Sequence, residues 1–333
     1  MFYSGCNRCS KDSYTRICLN RRIMNKNMVL SVKNWAMLCV FASFAMLLYM
    51  PIYGSVYNDF ILIIAASLIC VRNKGNLTLQ LLCISIIFAS VFGLVSYYYD
   101  KNYLLSMQES LGGGIYYAIW FVVSMSPLFY YFFKTNDLCV KMGVTIVCIA
   151  LIPGLLYVLT SPRLVDISLL MFSFVVVGFF LASAFDTNDK TTRNVSILAG
   201  LGGLIMVLRN IENIVWYVCE KPKLDGWYSW IDYNKEEFPV FNFCIKYNQT
   251  FTWLFLAGCA FMMMYFIYIF MRSNYSLKTI CIPAIFAFLL TWFVSVGLYS
   301  SIDFFDHKYM TSFFEMVVYA LFAFSFYKLY KKL

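Results

Sequence analysis

The sequence predicts an all-α, polytopic transmembrane helical bundle of about ten spans, with N-terminus and C-terminus both in the cytoplasm. Three observations carry this. Of 333 residues, 62% are apolar and 13% charged, with a mean hydropathy of +0.71; a soluble domain holds roughly 45–50% apolar and about 25% charged residues. The apolar residues come in continuous runs, not in the alternating pattern of a β-barrel. Basic residues gather in every second connection between those runs.

A helix needs about 20 residues to cross the hydrocarbon. Ten segments qualify in order: 35–52, 57–71, 77–98, 111–133, 138–160, 164–185, 195–219, 249–271, 279–298 and 309–330. The first closes at Pro51. The second is the shortest and stops at Arg72 and Lys74. The fourth opens on Gly112, Gly113 and Gly114 and contains Pro127, and the fifth contains Pro153. The seventh is apolar only in its first half. The chain thus divides into a basic tail (1–34), seven spans (35–219), an outer aromatic loop (220–248), three more spans (249–330) and a short C-terminus (331–333).

Loop charges set the orientation. With the N-terminus inside, the inner segments hold Arg72 and Lys74, Lys134 and Lys141, Lys190 and Arg193, Arg272 and Lys278, then Lys328, Lys331 and Lys332. Together with the tail they account for eighteen of the 26 basic residues, whereas the short outer loops hold only Lys101, Arg163 and Lys308. This is the positive-inside pattern, and an odd number of spans would break it. Lys141 has a stem long enough to snorkel inward and belongs to this pattern. Of the acidic residues, Asp12, Asp137, Asp186 and Asp189 are inside, and the other thirteen fall at or beyond the outer face.

The tail carries Arg8, Lys11, Arg16, Arg21, Arg22, Lys26 and Lys33. Such a tail anchors on anionic lipid at the cytoplasmic leaflet. No folded domain accompanies it, so no nucleic-acid partner is expected. No small-residue cleavage site follows the first run, which excludes a clean secretory signal. Met24 and Met28 are alternative starting points, so residues 1–23 carry little functional weight.

Ionisable residues inside a span are functional-site hypotheses by default. In the seventh span, at about 100° per residue, Arg209, Glu212, Asn213 and Trp216 share one face. This face forms one wall of a substrate site, with Arg209 holding an anion, or else an internal ion pair that steadies packing. Glu315 lies in the outer third of the tenth span, as a catalytic carboxylate, a partner for Arg209 across the bundle, or a protonated packing group. His307, the one histidine, follows Asp303 and Asp306 in an outer loop. An acid/base role there competes with an ordinary polar turn, and one histidine makes a poor metal cage.

The outer loop is rich in aromatic residues, among them Trp227 and Trp230, interleaved with Glu236, Glu237 and four lysines. Aromatic faces beside carboxylates suit sugar rings. Aromatic residues also gather at membrane interfaces without any ligand. Cys219 and Cys244 bracket the loop and would staple it as a disulfide on an oxidising face. Most other cysteines sit in spans as small apolar residues. Ala199 and Gly203 form a small-xxx-small pair suited to close helix packing within the bundle. There is no nucleotide-binding loop, G-x-S-x-G or H-E-x-x-H, so no cofactor and no metal is expected. The prolines and the long loop do not repeat between the two halves, which argues against a symmetric carrier.

Three functions fit. The first is an envelope enzyme, transferase or polymerase in type, working on a lipid-linked saccharide at the outer face of a bacterial inner membrane. It would use Arg209 for phosphate and Glu212 or Glu315 as a carboxylate. The second is a transporter or flippase of an anionic or lipid-linked substrate. It is disfavoured because the inner halves of the spans read as almost purely apolar. The third is a sensor or structural membrane protein without catalysis.

Overall fold

The first apolar run has no polar side, and a helix that is apolar all round belongs inside a bundle. A computed structural model describes residues 31–53, 56–99, 111–160, 164–219, 239–273, 275–299 and 308–333. Among these it forms ten helices and no strand: α1 (Val32–Tyr53), α2 (Val56–Arg72), α3 (Leu77–Tyr99), α4 (Leu111–Lys134), α5 (Leu138–Thr160), α6 (Leu164–Asp186), α7 (Lys190–Cys219), α8 (Pro239–Arg272), α9 (Tyr275–Tyr299) and α10 (Lys308–Lys332).

Helix α1 is the hub. It packs against α2, α3, α5, α6 and α10, and residues 36–48 are all buried. Two circuits of helices share it. One runs α1–α3–α4–α5, with α2 laid against α3 and α1. The other runs α1–α6–α7–α8–α9–α10 and returns to α1. Glycines on the neighbours receive its large rings: a β-carbon at Gly178 of α6 would strike the Trp35 indole, and one at Gly143 of α5 would strike the Phe41 ring. In lipid there is little hydrophobic drive between helices, so close packing of this kind holds them together.

Helices α7 and α8 meet backbone to backbone at two glycines. A β-carbon on Gly258 would stand 2.8 Å from the Gly202 carbonyl oxygen. Next to it, a β-carbon on Gly203 would lie 2.7 Å from a Val177 methyl of α6. The small residues of α7 thus serve packing inside the bundle, as their spacing implies.

Short polar connections end the helices. Asn76 accepts the Leu79 N–H at 3.0 Å and caps α3. Asp137 accepts the Cys139 N–H at 2.9 Å at the start of α5. Asp189 caps α7, taking the Thr192 N–H at 3.1 Å, and also binds Tyr268 and Arg272 of α8 at 3.1 and 2.7 Å. The Thr192 hydroxyl and N–H, then Tyr268 and Arg272, hold its carboxyl well below the ordinary carboxylate range.

Five of the helices hold stretches long and apolar enough to cross a membrane: Leu77–Val95, Ser168–Asp186, Lys190–Glu212, Thr252–Arg272 and Phe313–Lys332. Shorter apolar stretches occupy Val32–Leu48, Ala118–Lys134, Leu138–Leu151 and Leu277–Phe293. The outward faces are apolar too: Phe60, Ile64, Leu68 and Val71 line the exposed side of α2, and Ile282, Phe286, Leu289 and Phe293 that of α9. Water would penalise such stripes and lipid does not. The chain is a helical membrane protein.

Two helices begin earlier than their apolar runs. Helix α7 starts at Lys190, five residues before 195, because the Asp189 cap stabilises a polar first turn. Helix α8 starts at Pro239, ten residues before 249, with proline at the first helical position, where its missing N–H costs nothing. Its 34 residues extend about 51 Å at 1.5 Å per residue, well beyond a hydrocarbon core of about 30 Å. The connection after α7 is accordingly 220–238, not 220–248.

Candidate functional site

The second circuit encloses a cavity of about 170 Å³ between α6, α7, α8, α9 and α10. Its walls are mostly apolar and aromatic, with Phe172, Phe255, Phe288 and Phe322 among them. Six polar side chains interrupt that lining: Ser173, Asn210, Cys259, Thr291, Glu315 and Tyr319. The α10 residues that line it run from Glu315 to Phe326, eleven residues or about 16 Å of helix. Glu315 lies at the end away from the lysine-rich C-terminus of α10.

Each polar group is positioned by its own helix. Asn210 is buried on α7 and donates its amide N–H to the Ser173 hydroxyl of α6 at 2.9 Å. Ser173 in turn donates to the Leu169 carbonyl at 2.8 Å. This chain spends the amide N–H and leaves Asn210 rigidly seated. The Thr291 hydroxyl donates to the Ala287 carbonyl at 2.9 Å. Glu315 and Tyr319 are one turn apart on α10, so carboxyl and phenol border the same space. The Tyr319 ring meets Phe172 edge-on at 5.7 Å, which joins α10 to α6 across the cavity wall.

At the other end the cavity meets a seal of rings. Phe179 and Phe326 are 5.1 Å apart, Phe180 and Tyr265 also 5.1 Å, and Phe266 and Phe326 6.2 Å. Beyond the seal lies a polar ladder. Ser183 and Tyr265 share a hydrogen bond of 2.8 Å, and Ser196 donates to Ser183 at 3.3 Å. The parts of α6, α7 and α8 toward Asp189 are therefore less purely apolar than their sequences imply, because serine and tyrosine enter apolar runs without breaking them.

Arg209 pairs with Glu212 three residues along α7, with side-chain exposures of 21% and 14%. This is the internal pair anticipated for that segment. The two stand beside Asn210 on the helix but do not line the cavity. Glu315 is not Arg209's partner across the bundle; it faces the cavity instead. Asn213, Trp216 and Cys219 belong to α7 and Cys244 to the first turns of α8, and their side chains lie outside the described residues. So do His307, Trp227 and Trp230 altogether, together with the basic tail up to residue 30.

Sequence reasoning selected Glu315 but passed over Asn210, Ser173 and Tyr319. Asn210 sits within the same polar segment as Arg209, about 100° round the helix. Tyr319 is legible as the i+4 neighbour of a membrane carboxyl. Ser173 carries no signal, since serine inside a span usually bonds its own helix. Among the described residues no three His, Cys, Asp or Glu side chains group together to hold a metal ion.

The site offers one carboxyl able to give or take a proton, an oriented amide, a phenol and a thiol, in an aromatic pocket sealed on one side. Such a lining takes an amphiphile: apolar chain against the rings, polar group against Glu315 and Asn210. No family model, curated protein or solved structure matches this chain.

Proposed function

We propose that this protein is an envelope enzyme, transferase or polymerase in type, that binds a lipid-linked saccharide from the outer leaflet of a bacterial inner membrane. In this reading all ten helices span the bilayer and both termini are cytoplasmic. The observation that carries it is that Glu315 and Asn210 both line a mostly apolar and aromatic cavity between α6 and α10. Their end of the bundle is the one that the positive-inside rule assigns to the outside.

The chemistry follows from that placement. The lipid chain lies along Phe172, Phe255 and Phe322, and the first sugar reaches Asn210. Glu315 accepts the proton of an acceptor hydroxyl as its oxygen bonds to the sugar, and the lipid phosphate leaves. Trp227 and Trp230, in the stretch 220–238 outside the described residues, are of a type that suits sugar faces.

A carrier would need the ring seal at Phe179, Phe180 and Phe326 to part, so that substrate could reach the serine ladder beyond it. The closed seal favours a site open to one side only. The test is reconstitution in liposomes with a fluorescent lipid-linked saccharide. Elongated product that vanishes in Glu315→Gln supports the enzyme. Movement of the intact probe between leaflets, without product, would make the protein a flippase. No binding at all would leave the sensor or structural reading.

A further inference from the structure

Where α10 ends, two exposed lysines meet rings instead of carboxylates. Lys33 of α1 lies over the Tyr330 ring of α10, its Nζ 5.4 Å from the centroid. Lys331 lies over the Tyr327 ring at 5.0 Å. Tyr327 and Tyr330 are three residues apart, so the two rings are neighbours on one helix. Neither lysine joins an ion pair among the described residues, whereas Arg209 and Arg272 each pair with a carboxylate.

Contacts from four other helices fix these rings. Tyr327 is buried, and its hydroxyl accepts the Asn76 amide N–H at 3.1 Å, from the cap of α3. Two residues on, Thr78 donates to the Tyr131 hydroxyl of α4 at 3.3 Å. The Cys139 thiol of α5 donates to the Asn34 carbonyl, next to Lys33 on α1, at 3.6 Å. Tyr330 lies within electrostatic reach of Tyr327, Tyr131, Asp137 and Cys139, so these contacts surround one ring. The hydroxyls of Tyr327 and Tyr131 are spent, while that of Tyr330 has no partner among the described residues.

Depth and charge point to the occupant. The apolar stretch of α1 begins at Val32 and that of α10 ends at Lys332. Lys33 and Lys331 therefore stand at the membrane surface, at the level of headgroup phosphates. A ring holds one side of an ammonium and leaves its other N–H groups free, which a carboxylate partner would not. Among the described residues of α1, α3, α4, α5 and α10, Asp137 is the one acid at this end, and it is engaged in capping α5. Phe324, Lys328 and Lys331 share a face of α10 by their spacing; Phe324 is exposed, and Lys328 lies over it at 5.5 Å. That face sets an apolar surface directly below ammonium groups.

We propose that Lys33, Lys331 and the Tyr330 hydroxyl hold the phosphate of an anionic phospholipid at the junction of α1 and α10. The ammonium groups and the phenol donate to the phosphate oxygens, and an acyl chain runs down along Phe324. A headgroup with its own cation would bring like charge against the lysines, so the site prefers one without. The rings hold the lysines in place before the lipid arrives, which lowers the ordering cost of binding. The site is separate from the Glu315 cavity and does not depend on how that cavity is used.

The test is the thermal stability of the intact protein in nanodiscs of phosphatidylcholine, with and without added phosphatidylglycerol. The anionic lipid raises Tm by about 2–4 °C. The rise is lost when Lys33→Gln and Lys331→Gln are combined, and reduced in Tyr330→Phe, which keeps the ring. Lys190→Gln with Lys278→Gln removes equal charge from α7 and α9 and leaves the rise intact. Equal Tm in the two lipids for the unaltered protein overturns the proposal, and this arm needs no variant. A rise that survives the Lys33 and Lys331 pair overturns it too, because the basic tail then holds the lipid. So does a rise lost equally in the Lys190 and Lys278 pair, since general surface charge then suffices. An equal rise from inorganic phosphate in phosphatidylcholine alone would show a free anion as the occupant and overturn the lipid.

Discussion

The Asn210 amide donates to the Ser173 hydroxyl at 2.9 Å, and this bond ties α7 to α6 beside the Glu315 cavity. Interhelical hydrogen bonds in membranes contribute about 0.6–2 kcal/mol. Asn210→Ala and Ser173→Ala should each lower stability by about 1 kcal/mol, with a coupling of about 0.6 kcal/mol in the double mutant. Reversible unfolding in mixed micelles measures it. Strictly additive effects would mean that the bond does not form.

Glu315 tests the difference between a functional and a packing carboxyl. A carboxyl in an aromatic cavity opposes stability, so Glu315→Met should raise it by about 0.5–2 kcal/mol while abolishing saccharide transfer. A packing carboxyl behaves oppositely: the variant loses stability and keeps its activity. Parallel thermal and transfer assays separate the two.

Backbone proximity makes Gly258 intolerant. A β-carbon there would lie 2.8 Å from the Gly202 carbonyl, a fixed backbone atom. Gly258→Leu should cost about 1–3 kcal/mol or more through overpacking, visible as loss of folded, monodisperse protein. Gly200 offers the control, because its nearest neighbour would be a Leu181 methyl at 3.6 Å. Gly200→Ala should be neutral or stabilising by about 0.5–1 kcal/mol.

Asp189 gives a pH dependence with a defined sign. Its folded carboxyl is held below the ordinary value of 3.8 by Thr192, Tyr268 and Arg272. The stability it supplies is thus complete above 3.8, and is lost as pH falls from there through the lower folded value. Acid titration of the unaltered protein should show this loss. In Asp189→Asn, which keeps a capping oxygen but has no charge, that component should disappear. An unchanged acid profile in the variant would show that another carboxylate governs it.

The sequence by itself determined the class of protein and the course of the chain. Apolar runs are one-dimensional, so nearly every helix could be placed from them. The early starts of α7 and α8 escaped because they rest on a cap and on a proline, which hydropathy does not register. It also singled out Glu315, because a carboxyl in a span is costly wherever the helix turns.

Only the tertiary structure decided which polar residues meet. Arg209 was legible as a membrane charge, but packing turned Asn210 toward Glu315 and left Arg209 with Glu212. Asp59 reads in the sequence as an acid at the outer face, and packing of α2 against α3 and α1 buries it. Both outcomes depend on rotation and depth of one helix against another. Those follow from where glycines such as Gly143, Gly178 and Gly202 let a neighbour approach, a property of pairs of helices that no single run contains.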